Sequence, residues 1–123
     1  MSKGNFEQER KANFELKKRV VTGTATVRTG RSDDNNVIDV AIDIADPADD
    51  FTLTVPDGTY MGQELLIVMS SNDDSKTATI SVTHHEGGDD GTTSLDAADE
   101  AIKLLWTGTE WASLFYSCAA DIS

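Results

Sequence analysis

From residue 20 onward the chain is patterned with a period of two, and nothing else in it constrains the fold as much. The run "VIDVAIDIA" (37–45) places Ile38, Val40, Ile42 and Ile44 on one side and Asp39, Ala41 and Asp43 on the other. Successive side chains of an extended strand point to opposite faces, so this run has one buried and one wet face. "FTLTV" (51–55) and "TATISVT" (77–83) alternate in the same way, with Phe51, Leu53, Val55, Ala78, Ile80 and Val82 inward. "VVTGTATVR" (20–28) is rich in Val and Thr, which suit a pleated surface. "QELLIVM" (63–69) is almost wholly apolar and belongs in the middle of the fold. Polar loops separate these runs; in one of them, "PDGT" (56–59), Pro56 presets φ and Gly58 tolerates a positive φ. Short strands between regular turn signals, with no helical segment among them, predict an all-β single domain, an antiparallel sandwich or barrel-like fold. They argue against a parallel α/β sheet, and no internal repeat of fixed period is visible.

The first 19 residues read differently. "NFEQERKANFELKKR" (5–19) is built from good helix formers, yet Phe6, Phe14 and Leu16 make no apolar stripe at helical spacing. Residues 1–19 are therefore expected to be a basic arm or short helix, ahead of a β domain at 20–123. Charge divides the chain in a similar place. The net charge is −12, but residues 1–31 hold eight basic and three acidic residues, while 32–123 hold two basic and nineteen acidic ones. So acidic a body is repelled by nucleic-acid phosphates. The basic segment suits an acidic partner surface, with Arg10, Lys11, Lys17, Lys18 and Arg19 as its charges and Phe6 and Phe14 as its apolar contacts. The opening "MSKGNFEQER" lacks the apolar run of a signal peptide. "LLIVM" (65–69) falls short of the ~20 residues that span a bilayer. The expectation is a soluble, cytoplasm-made chain whose partner is neither a membrane nor a nucleic acid.

The only two tryptophans flank a turn in "AIKLLWTGTEWASLFY" (101–116). A hairpin closed at Thr107-Gly108-Thr109-Glu110 sets Trp106 opposite Trp111, Leu104 opposite Ser113 and Ile102 opposite Phe115. With a two-residue loop the indoles form a non-hydrogen-bonded pair, where side chains approach most closely. Ile102, Leu104, Trp106, Trp111 and Phe115 then share an apolar face that reads as core or as subunit interface. A ligand platform would surround the indoles with hydrogen-bonding side chains, whereas these neighbours are mostly aliphatic.

Other clusters carry little chemistry. "HHEGGDD" gathers His84, His85, Glu86, Asp89 and Asp90, but adjacent strand residues point opposite ways, so both imidazoles do not readily meet one ion. "SDDNN" and "NDDS" lack the ligand spacing of a calcium loop. Asp39 and Asp43 share the wet face of one strand without a nucleophile beside them, and "GTATVRTG" has no phosphate-cradling Gly-Lys-Ser/Thr. The lone Cys118 has no disulfide partner and no zinc spacing around it. No catalytic residue, cofactor or metal site is expected.

One pattern is more specific. "TLTVPDGTYMGQELLIVM", then "TATISVTHH", then "TTSLDAADEAIKLLWTGTEWASL" resembles a module of tailed-bacteriophage virion proteins. In that module a (P/A)DGT-x-x-GQ turn leads to an apolar strand and a "LLWTGTxW" hairpin closes the pattern. The match covers residues 51–115, and Glu100 departs from it where the pattern more often has an aspartate or a small residue. The resemblance implies an all-β virion protein, commonly a homotrimer. It also implies one of two placements: a capsid decoration (cement) protein bound to the major capsid protein on the outer face of the head, or a tail fibre or spike component that binds host carbohydrate. A single small domain with a short basic arm favours the first.

Overall fold

The computed structural model describes residues 15–30 and 36–117, with side chains as far as Leu114. These residues form nine strands: β1 (Glu15–Val21), β2 (Ala25–Thr26), β3 (Val37–Ala45), β4 (Phe51–Val55), β5 (Glu64–Ser71), β6 (Ala78–Val82), β7 (Gly91–Leu95), β8 (Ala101–Trp106) and β9 (Trp111–Ser117). They build a five-stranded sheet in the order β1-β3-β5-β8-β9 and a four-stranded sheet in the order β2-β4-β6-β7. No helix occurs among the described residues.

From β1 to β6 the chain enters the two sheets alternately, so it coils. Each strand lies parallel to the one two places earlier: β1 with β3, β3 with β5, β2 with β4 and β4 with β6. Then the direction reverses: β7 runs antiparallel to β6, β8 to β5, and β9 to β8. The all-β single domain is as expected, but the sheets are mixed rather than antiparallel. A parallel pair needs a crossover of about a dozen residues, usually a helix. Here the crossover is a strand of the opposite sheet. The coil also escapes any fixed sequence period, because its step varies: Glu15 pairs with Val37, Ala41 with Leu66 and Ala25 with Leu53.

Two local expectations are corrected by this arrangement. The boundary expected between residues 19 and 20 falls inside β1, since Glu15–Arg19 is strand; its earlier portion, 1–14, lies outside the described residues. Helix propensity amounts to tenths of a kcal/mol per residue, and here a seven-residue ladder on β3 overrides it. The second correction lies in β3. Lys17 pairs with Asp39 but Lys18 with Ala41, so Val40 is an extra residue that breaks the alternation. Asp39 is thereby turned inward and is 1% exposed, not on the wet face.

The core fills the space between the sheets. Ile42, Ile44, Leu65, Ile67, Met69, Ile102 and Leu104 of the larger sheet pack against Phe51, Leu53, Val55, Ile80, Val82 and Leu95 of the smaller one. "LLIVM" is central, as read, since β5 is the middle strand of its sheet. Its alternate residues Leu66 and Val68 nevertheless remain half-buried on the outer face.

Candidate functional site

The residues of the DGT-x-x-GQ and LLWTGTxW segments, far apart in sequence, meet at one end of the coil. Trp106 and Trp111 are both buried, with ring centroids 5.3 Å apart in an edge-to-face arrangement. They form a non-hydrogen-bonded pair: the Trp106 amide donates to the Gln63 carbonyl and the Trp111 amide to the His84 carbonyl, each away from the other strand. The Trp111 indole Nε1–H donates to the Pro56 carbonyl at 2.8 Å. Gln63 is itself buried; its Oε1 accepts from the Thr59 amide and its Nε2 donates to the Thr29 carbonyl. Gly62 has φ 93°, which favours glycine, and donates to the Trp106 carbonyl. Gly58 serves differently from the turn role expected of it. It does not have a positive φ, and a methyl group built on it would lie 2.3 Å from Trp106 Cγ. It is glycine because the indole lies against it.

The hairpin register is as read for Trp106–Trp111 and Leu104–Ser113. A register shift between Lys103 and Leu104 then pairs Ile102 with Tyr116 and Lys103 with Phe115, so the expected Ile102–Phe115 pair does not form. A bulge of this kind has no sequence mark here. Ile102, Leu104, Trp106 and Trp111 are core within a single chain, all at most 3% exposed. They present no indole surface for stacking a sugar.

The "HHEGGDD" loop wraps the outer edge of this cluster. His84 Nδ1 lies 2.7 Å from Asp57 Oδ1, while His85 Nε2 lies 3.0 Å from Ser113 Oγ. The Asp57 carboxylate, by hydrogen bond and charge, holds the His84 pKa above its ordinary value. Glu86 accepts from the Ser113 amide, which blunts the free edge of β9 against pairing with another strand. The two histidines take different partners, and no group of three metal-ligating side chains occurs among the described residues.

Of the residues expected to contact a partner, Phe6, Arg10, Lys11 and Phe14 lie outside the described residues. Lys17 and Lys18 are exposed on β1. Arg19 is engaged inside the molecule: its Nη1 reaches Asp39 Oδ2 at 3.2 Å and the Thr26 carbonyl at 3.0 Å. Arg28 Nη2 meets Asp39 Oδ1 at 2.8 Å, and its amide donates to Asp39 Oδ2. This Arg–Asp–Arg cluster ties β1, β3 and the segment after β2 together. Sequence reasoning missed it because nothing in "VIDVA" announces the bulge that turns Asp39 inward.

The two outer faces differ in kind. On the smaller sheet the outward residues are hydroxyl-bearing: Thr26, Thr52, Thr54, Thr79, Ser81, Thr92 and Ser94. On the larger sheet they include Val20, Ala41, Leu66, Val68 and Leu105. Val20 is 65% exposed. Two shallow grooves of about 380 and 420 Å³ run over this face and share Ala41. No protein-family model matches the chain, and no curated protein is similar enough to count as a relative.

Proposed function

We propose that this chain is a structural virion protein, a capsid decoration protein of a tailed bacteriophage, homotrimeric and seated on the outer face of the head. Its work is mechanical. It binds the major capsid protein across capsomer boundaries and resists internal pressure, with many copies adding avidity around a closed shell. The observation that supports this reading is the convergence of the motif residues. Pro56, Gly58, Gly62, Gln63, Trp106 and Trp111 interlock in one unit, so the resemblance rests on a folded module rather than on scattered identities. The charge distribution supports the outer placement, since the acidic body disfavours contact with packaged DNA.

Quantitative mass spectrometry of purified virions, with labelled standard peptides for this chain and the major capsid protein, tests the proposal. Hundreds of copies in simple proportion to the shell protein are expected. A few copies per particle would move the chain to a tail or vertex structure. A companion binding assay on undecorated shells uses a truncation lacking residues 1–14, because 15–19 belong to β1. Loss of shell binding by a folded truncation is expected, and full binding would remove the arm from the contact.

A further inference from the structure

We infer that the outer face of the larger sheet is the surface through which copies of this chain associate. The inference deepens the self-association part of the proposed function and is independent of shell binding. Val20, Val40, Ala41, Tyr60, Leu66 and Val68 line the two grooves on this face. Valine and leucine stand here at positions where the smaller sheet places threonine and serine, although neither outer face is covered by the described residues. Apolar side chains set among charged ones in this way match the apolar centre and polar rim of an interface.

Charge selects a second copy as the occupant. The ionic groups lining these grooves are Lys18, Arg19, Asp43, Glu64 and Lys103. Arg19 is committed to Asp39, and Lys103 pairs with Glu64 at 3.0 Å. That leaves Lys18 and Asp43, neither of which is in an ion pair among the described residues. Lys18 and Asp43 line the same groove. A second copy brings both a donor for Asp43 and an acceptor for Lys18. Because the chain carries −12 overall, copies repel elsewhere on their surfaces and least on this balanced face.

Sedimentation equilibrium of the purified full-length chain, without shells, tests the inference. The wild type is expected as a small oligomer. Val20→Asp adds a charge at an exposed position of this face, and association is expected to weaken at least about tenfold. Thr92→Asp places the same charge on the smaller sheet, where Thr92 is exposed, and is expected to leave association within about twofold. Buried-tryptophan emission checks that each variant is folded. A wild type that stays monomeric at high concentration overturns the inference, even if it binds shells. Dissociation by Thr92→Asp but not by Val20→Asp overturns it as well.

Discussion

Two apolar regions of the larger sheet are finished in opposite ways. On its inner face, at the motif end, Trp106 and Trp111 are sealed by the chain's own turns: Gly58 lies against one indole and the Pro56 carbonyl accepts a hydrogen bond from the N–H of the other. On its outer face Val20, Leu66 and Val68 are left half-covered or exposed. The smaller sheet shows what this chain places on a face meant for water, which is threonine and serine. Aliphatic residues on the larger sheet therefore answer to something other than β-propensity, since threonine suits a strand nearly as well. Closed and open regions should respond differently to substitution, one in stability and the other in association.

The largest effect is expected at the closed end. Trp111→Ala removes a fully buried indole and leaves the Pro56 carbonyl without its donor, for a loss of about 3–5 kcal/mol by urea unfolding. Gly58→Ala is expected to cost about 3 kcal/mol by overpacking, because Trp106 is buried and has no room to retreat. If Gly58→Ala is neutral, the indole is not held against the turn and the closed region is looser than its geometry indicates.

Much of this was legible in the sequence, and the failures have physical causes. Period two marked most of the strands, and the loop length at Thr107–Glu110 fixed the Trp106–Trp111 pairing, because both are local properties. Parallel pairing was not legible, since strand direction depends on which sheet the intervening strand joins. Three bulges, at Val40 in β3, Ser70 in β5 and Leu114 in β9, slip the strand pairing without any glycine to signal them. Within the motif, both glycines were visible but their tasks were not: Gly62 supplies the positive φ and Gly58 the close approach. The aliphatic outer face was hidden inside "LLIVM", where a strand buried on both sides and one with a half-buried outer face look alike.

Asp39→Asn is expected to lower stability by about 2–4 kcal/mol, since it leaves Arg19 and Arg28 without their shared carboxylate. The lower part of that range is favoured, because both guanidinium groups keep about a third of their side chain in water. Urea midpoints measure it. On the open face, Val20→Thr is expected to change monomer stability by no more than about 0.5 kcal/mol, measured under conditions that keep the chain dissociated. A large loss there would mean that Val20 supports the fold, which would break the comparison between closed and open regions.

The smallest effect is expected at the rim of the closed cluster, where His84 meets Asp57 across the two turns that flank it. The pair raises the histidine's pKa in the folded chain, so folding favours the protonated imidazole. Its contribution is therefore fully present below the unfolded value of about 6.5 and is lost as pH rises through the higher folded value. Asp57→Asn removes both the hydrogen bond and the charge. The imidazole titration followed by NMR is expected to move down toward the ordinary value. The stability difference between wild type and variant is expected to be larger at about pH 5.5 than at about pH 8. Because the histidine side chain is 46% exposed, salt should shrink the difference further. A difference that instead grows with pH would mean that Asp57 acts mainly on the backbone of the turn, making this rim part of the closed unit rather than its pH-dependent edge.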